Sequence, residues 1–262
     1  MNTNQFQAKY GPYSLVAGGS DGLGAAFAEA IARRGVNLVL IARQKSRLEA
    51  TASRLRQAFA VDVIAITADL ADYDAVKPLI EHLEAPIGLL IYNAAFAPIG
   101  LFETKSEDEL SLAASVNVRT PLLLAKLLSE QMTARQRGGI VLMSSLAGTQ
   151  GSPSLATYAA TKSFNTILAE GLWRELKPHG IDVLASVAGA ILTPGYQQAE
   201  STKAAPGTLE ASAVAEQTLR ALGHGPIVIP GAMNKIARFA LMRLFSRRAA
   251  ISIMASNTGG LS

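Results

Sequence analysis

Tyr13-Ser14-Leu15-Val16-Ala17-Gly18-Gly19-Ser20-Asp21-Gly22-Leu23-Gly24 runs from an apolar segment of strand length into a glycine-rich turn. Residues 25–34 follow as an alanine-rich amphipathic stretch that stops at Gly35. This reads as strand, turn and helix, with Gly35 in the helix-ending position. A helix that begins at such a turn offers unpaired N–H groups and a positive dipole end, which together make an anion site. The glycines permit backbone angles closed to other residues and let a pyrophosphate approach closely. The spacing is Gly18-x-x-x-Gly22-x-Gly24 rather than Gly-x-Gly-x-x-Gly, so the strand before it and the helix after it carry the reading.

Outward from this turn the same alternation repeats. Strands are expected at 37–42, 61–67, 88–92, 139–144, 181–187 and 226–229. Helices are expected at 46–59, 73–83, 106–135, 154–177 and 211–222. Seven short apolar runs alternating with helices imply βαβ units and a parallel sheet, and right-handed crossovers put helices on both of its faces. No repeat or linker divides the chain, so residues 1–262 read as one dinucleotide-binding domain of the doubly wound α/β class. The polar stretch 193–208 is long for a connection and predicts a substrate lid over about 191–212.

Composition narrows the function. Of 262 residues, 49% are apolar, enough for one large core. A formal charge of +4 with no Lys/Arg run in the first 230 residues argues against nucleic acid. The absence of cysteine excludes disulfides, thiolate metal sites and a cysteine nucleophile, and no metal site is expected. The polar start, residues 1–12, lacks a signal-peptide core, and no charge-free apolar stretch reaches membrane-spanning length, so the expected location is cytoplasmic.

The second strand ends at Ala42-Arg43, where NAD-binding folds usually place an acid for the ribose 2′-hydroxyl. An arginine suits a 2′-phosphate, so Arg43, with Arg47 as a helper, points to NADP(H) over NAD(H). Asp21 cuts against a doubly anionic ribose, or it caps the following helix. Further along, Tyr158 and Lys162 stand four apart in a predicted helix and so share a face. A nearby ammonium favours the phenolate, which predicts a lowered Tyr158 pKa and a phenol able to exchange a proton with a carbonyl oxygen. Ser145, thirteen residues before Tyr158 and just past a strand, could hold the same oxygen. A Tyr-x-x-x-Lys pair alone is weak, and its position downstream of a phosphate turn is what raises it.

Taken in order, Gly18–Gly24, Asp69-Leu70, Asn93-Ala94-Ala95, Asn117, Ser144-Ser145, Tyr158-x-x-x-Lys162 and Ala188-Gly189 followed by Thr193 resemble the short-chain dehydrogenase/reductase family over nearly the whole chain. The resemblance implies a doubly wound sheet of seven parallel strands, a bound NAD(P)(H) and a tetrad of Asn117, Ser145, Tyr158 and Lys162. Carried over, Tyr158 is the acid/base, Ser145 orients the substrate oxygen, and Lys162 bonds the nicotinamide ribose. Asn117 would bend its helix and hold a water in the proton relay. The cofactor would meet Gly18, Ser20, Asp21, Gly22, Leu23 and Gly24 in the turn, then Arg43, Asp69, Leu70, Asn93 and Ala94. Gly189, Ile191 and Thr193 would sit at its nicotinamide end, with Tyr158 and Lys162. Three positions depart from the family pattern: Ala17 for a threonine, Tyr92-Asn93-Ala94-Ala95 for Asn-Asn-Ala-Gly, and Ala188-Gly189 for Pro-Gly.

Segments 95–102, 146–155 and 191–210 should surround the substrate, with Phe96, Ile99, Leu101, Phe102 and Leu155 making a neutral apolar surface. The leading function is reduction of an apolar ketone or aldehyde by NADPH, or the reverse. A catalytically quiet redox sensor is the alternative, and the intact tetrad argues against it. Residues 233–250 predict one basic, apolar helix within a C-terminal extension over about 232–250. Its charges fall among its apolar positions, which favours packing on the domain or on a second subunit over lying on a membrane surface. In the resemblance, this ending is similar to bacterial ketoacyl and carbonyl reductases. Apolar residues on more than one side of helices 106–135 and 154–177 predict a homodimer or homotetramer.

Overall fold

The computed structural model describes residues 1–193 and 206–258. Its centre is a seven-stranded sheet in the order β3-β2-β1-β4-β5-β6-β9, every pair parallel. The strands are β1 (Tyr13–Ala17), β2 (Asn37–Ala42), β3 (Val63–Thr67), β4 (Ile87–Tyr92), β5 (Gly138–Ser145), β6 (Ile181–Ala188) and β9 (Ile227–Val228). Side chains alternate across the sheet, so each strand feeds two cores. On one face Val16, Leu38 and Leu40 pack with Phe27 of α2 (Gly22–Ala32), Leu48 of α3 (Lys45–Ala58) and Val214 of α8 (Ala211–Ala221). On the other, Leu15, Val39 and Ile41 pack with Val76 of α4 (Tyr73–Glu81), Leu124 of α6 (Thr120–Ala134) and Ala169 of α7 (Ala156–Leu176). The strand order reverses between β1 and β4, and a crevice opens there at the carboxyl ends.

Four local features differ from the sequence reading. The polar start holds a helix, α1 (Thr3–Tyr10), begun by a reciprocal capping box between Asn2 and Gln5. Its Phe6 and Tyr10 are buried one turn apart, and the Tyr10 hydroxyl donates to Asp182 Oδ2 at 2.7 Å. Lys9 pairs with the same carboxylate. Burial, then the Asp182 charge, pushes the Tyr10 phenol far above its ordinary range.

The helix that periodicity runs through 106–135 is two helices, α5 (Glu107–Ala114) and α6, joined by a π-helical turn over Ser115–Arg119 that contains Asn117, where the family resemblance implies a bend. The wider turn leaves carbonyls for side chains to take: the Tyr92 hydroxyl donates to Val116 O at 2.5 Å, and Asn165 Nδ2 donates to Asn117 O at 3.2 Å. The departure from the family pattern at Tyr92 thus carries a buried tie from β4 to this turn.

The ends of the expected lid form a short parallel pair, β7 (Ile191–Leu192) with β8 (Leu209–Glu210). Its middle, 194–205, lies outside the described residues.

The expected C-terminal helix 233–250 breaks at Leu244–Ser246 into α9 (Ala232–Arg243) and α10 (Arg247–Thr258). Asn234 and Ala250 are buried, and the Arg247 guanidinium donates to Thr149 O at 3.3 Å. The expected packing on the domain therefore holds only along one edge: Met233, Ile236, Phe239 and Leu244 face solvent.

Candidate active site

The crevice is a cavity of about 820 Å³ running from Arg43 and Arg47, past the glycine turn, to Tyr158, Leu155 and Ile99. The turn shapes its floor. Gly18 and Gly22 have φ of +80° and +51°, left-handed angles that favour glycine. A Cβ on Gly18 would stand 2.9 Å from Ala94 N, and one on Gly22 would stand 3.1 Å from Thr193 Cγ2. A side chain at Gly18 would strike the loop after β4 and one at Gly22 would crowd Thr193, so the turn keeps the path that suits a pyrophosphate only with glycine at both positions. Asn93 holds the turn from β4: its Nδ2 donates to Gly18 O at 3.2 Å, and its N–H donates to Ala17 O. Gly24 stands behind the turn, where a Cβ would be 1.8 Å from Gly18 O, so its lack of a side chain serves helix packing rather than the cavity wall. Thr51, unremarked in the sequence, donates from Oγ1 to Ser20 O at 2.9 Å and fixes the outer rim.

Asp21 caps α2, accepting from Gly22 N–H at 2.7 Å through Oδ1. Its Oδ2 pairs with Arg47 at 3.2 Å, so Arg47 is engaged with a carboxylate rather than standing beside Arg43 as a second helper. Arg43 is exposed on the cavity wall, with no carboxylate partner among the described residues. Asp69 lines the same end and accepts from Ala71 N–H, and Thr120 Oγ1 donates to Leu70 O at 2.7 Å.

At the other end, the carboxyl end of β5 and the first turns of α7 bring Ser145, Tyr158 and Lys162 onto one wall. Gly148, in the 3-10 turn over Leu146–Thr149, packs against α7 where a Cβ would lie 2.7 Å from Ser163 N. That close approach sets Ser145, which accepts from Ala147 N–H at 3.2 Å, against Tyr158. Lys162 is 3% exposed, and its Nζ donates to Met143 O at 3.0 Å. The other two ammonium donors have no partner among the described residues, as suits a group awaiting ribose hydroxyls. Ser144, itself buried, accepts from Thr166 Oγ1 and donates to Lys162 O at 2.7 Å, anchoring the turn of α7 that carries the lysine.

The expectation of a depressed Tyr158 pKa is overturned. Burial pushes this phenol above its usual range, and the Ser145 hydrogen bond opposes the push without cancelling it. Lys162 is itself pulled down to about 8 by burial, and its Nζ lies 5.5 Å from the tyrosine ring centroid with one donor spent on Met143. The lysine that was to favour the phenolate has thus lost part of its own preference for charge.

Asn117 is off the cavity wall and fully buried. Its Oδ1 accepts from Phe96 N–H at 2.8 Å, and its Nδ2 donates to Phe96 O at 2.7 Å and Thr161 Oγ1 at 3.0 Å. The side chain clamps the loop after β4 to α7 with both of its N–H donors spent, and its main-chain carbonyl accepts from Asn165 Nδ2. On the substrate side Phe96, Ile99, Leu155 and Ile191 line the cavity as expected, joined by Leu112 and Val116 from α5 and the π turn. Leu101 and Phe102 face solvent instead, turned outward at the start of the 3-10 turn over Phe102–Thr104. Gly189 and Thr193 border the same end. No group of acidic, histidine or cysteine side chains suited to a metal occurs among the described residues, and no described helix is long and apolar enough to cross a membrane.

Comparison with known proteins bears on this geometry. Among curated relatives, the chain is 34% identical over 194 residues to a very-long-chain 3-oxoacyl-CoA reductase of Podospora anserina, covering 71% of the chain. The match spans 56% of that relative, little more than half its length. A 7beta-hydroxysteroid dehydrogenase structure superposes with a TM-score of 0.90 at 25% identity, over 97% of this chain and 100% of the other. A short-chain dehydrogenase from Sphingobium yanoikuyae in complex with NADPH superposes with a TM-score of 0.79 at 32% identity, over 92% and 95% of the two chains. The short chain dehydrogenase family itself matches residues 13–204, from the first strand through the Ser145, Tyr158 and Lys162 wall, so the chain belongs to that family of oxidoreductases.

Proposed function

We propose that the protein is an NADP(H)-dependent oxidoreductase that interconverts an apolar ketone or aldehyde and its alcohol, with residues 1–262 forming one functional unit. The observation that carries this reading is the shared wall of Ser145, Tyr158 and Lys162 at the end of a cavity floored by a left-handed glycine turn. The cradle at Gly18 and Gly22, the Lys162 ammonium and Arg43, which has no carboxylate partner among the described residues, fit a dinucleotide with a 2′-phosphate. Ser20, Asp21, Leu23, Asp69, Leu70, Asn93, Ala94, Gly189, Ile191 and Thr193 would line its path. When bound, the nicotinamide supplies the hydride for the carbonyl carbon.

Tyr158 gives the proton to the carbonyl oxygen; a phenol is protonated at neutral pH, and burial shifts this one further the same way. Ser145 donates to the same oxygen and orients it. Lys162 holds the ribose and lies beside the tyrosine ring. Asn117 positions α7 by binding Phe96 and Thr161. The cations on the cavity wall are Arg43, Arg47 and Lys162, and the wall around Ile99, Leu112, Val116 and Leu155 is apolar. That wall suits a bulky apolar group beside the reacting carbonyl, as the very long acyl chain and the steroid in the relatives' names would supply. Segment 191–212 is proposed as the lid, and the cytoplasm as the location.

The test is turnover of a panel of bulky apolar ketones, read as NADPH oxidation by purified parent and Tyr158→Phe proteins at saturating cofactor. The variant keeps the ring, so fold and NADPH binding should survive while turnover falls by about 10²–10⁴-fold. A fall of less than about threefold, where general acid catalysis asks for at least ~10², removes Tyr158 from the role of acid.

A further inference from the structure

Asn234 lies in the first turn of α9 and is 4% exposed. Its Nδ2 donates to two carbonyls from separate segments, Gly207 O at 3.1 Å and Pro230 O at 3.0 Å. The amide is wedged between two glycines: a Cβ on Gly189 would lie 2.7 Å from Asn234 Oδ1, and one on Gly207 would lie 2.5 Å from it. Gly207 also has φ +84°, so glycine is favoured there twice over.

These two glycines mark the two ends of one clasp. Gly189 leaves β6 and leads through Ala190 into β7, whereas Gly207 leads through Thr208 into β8. The strands pair as Ile191 with Leu209 and Leu192 with Glu210, and Leu209 N–H donates to Ala190 O at 3.1 Å. The clasp supplies Gly189, Ala190, Ile191 and Thr193 to the cavity wall, while Asn234 stands behind that wall. A buried amide that donates to the outgoing strand and abuts the incoming one sets their separation, and with it where Ile191 and Thr193 stand. Neither an alanine nor an aspartate can do this. The first has no donor, and the second turns a carboxylate toward two carbonyl oxygens.

We infer that Asn234 is a positioning residue for the nicotinamide half of the cofactor, acting through Gly189 and the β7–β8 clasp. This rests on reading the cavity as a dinucleotide site. The adenine half, at Arg43 and Asp69, is built from other elements, and neither hydrogen bond of the Asn234 side chain reaches it; the clasp meets the glycine turn only where Thr193 faces Gly22.

The experiment compares two ligands on parent, Asn234→Ala and Asn234→Asp proteins: NADPH, and 2′-phospho-ADP-ribose, which lacks only the nicotinamide. NADH and ADP-ribose are titrated in parallel. Losing a hydrogen bond of ordinary strength should weaken NADPH binding about tenfold, with 2′-phospho-ADP-ribose unchanged within about twofold. General damage to the fold would weaken both ligands alike. An equal loss for both, or an unchanged NADPH affinity, overturns the inference. Asn234→Asp keeps the shape of the side chain, so the comparison stands even where Asn234→Ala does not fold. A parent protein that binds none of the four ligands overturns the dinucleotide reading itself, and the inference with it. A parent that binds NADPH and an Asn234 variant without the selective loss overturns the inference alone.

Discussion

At the scale of single residues, the wall of the site shows how burial competes with charge. Lys162 was placed by its spacing from Tyr158, and that placement holds in the structure. Its electrostatic effect was not readable from spacing, because a pKa depends on desolvation, and the burial of Lys162 under Ser144 and Met143 comes from a strand that ends seventeen residues earlier. The consequence is measurable. Lys162 titrates near 8 in the fold against its ordinary 10.5, so between these values the unfolded chain binds more protons than the folded one. Stability must then rise with pH through that window, since the cost of burying the ammonium is relieved. Melting curves from pH 7 to about 10.5 should show the parent gaining on Lys162→Met, which has no proton to lose. A difference between the two proteins that stays flat with pH would show that the lysine is not held below its ordinary pKa.

At the scale of elements, most of the fold was legible in the sequence and the exceptions share a cause. Strand β2 falls at Asn37–Ala42 as expected, and the other sheet strands lie within a few residues of their predicted bounds, because a strand buried on both faces is a continuous apolar run. The break at Asn117 was expected from the family resemblance alone, since the periodicity of α5 and α6 continues through it and the π turn is held by Tyr92 and Asn165 from elsewhere. Helix α1 has a local sequence signal, the Asn2-x-x-Gln5 box with Phe6 and Tyr10 one turn apart, set within an otherwise polar start. Its anchor on the domain, the Tyr10 hydrogen bond to Asp182, lies 172 residues away and has no local signal. The join of α2 to the glycine turn was legible as a spacing but not as a contact. With 1.8 Å between Gly18 O and a Cβ at position 24, Gly24→Ala must push the helix off the turn. Overpacking of this kind typically costs about 1–3 kcal/mol. The variant should melt lower than the parent and lose NADPH affinity as well, because the displaced segment is the cavity floor. Unchanged melting and unchanged titration would mean that the turn yields freely and that Gly24 has no packing role.

At the scale of the whole molecule, the question is which surfaces stay bare. The two faces of the sheet are fully used, by two cores that bury nearly every large apolar side chain of the strands. Outside lie Ile99, Leu101 and Phe102 at the mouth of the cavity and, on the helices, Leu122 on α6, Ile167 on α7 and the exposed row Met233, Ile236 and Phe239 on α9. Ile167 is 63% exposed in the middle of the long helix that carries the active-site tyrosine. One turn later, Gly171 has no atom within 4 Å of where its side chain would stand, so another helix could approach closely there. A helix that is apolar beyond the stripe facing its own core has a second partner. The expected partner is a second copy, forming a homodimer or homotetramer on α6 and α7. Light scattering at micromolar concentration should then give at least twice the mass of 27.5 kDa. Ile167→Arg would place a charge at the centre of that contact, where it must be desolvated without a counter-ion, and should shift the mass toward one chain while the monomer keeps its fold by circular dichroism. The α9 row offers a control, because Ile236→Arg is equally exposed but lies on a different helix and should leave the mass unchanged. A parent protein of single-chain mass, or an Ile236→Arg variant that dissociates while Ile167→Arg does not, would move the interface away from α7 and onto the C-terminal helices.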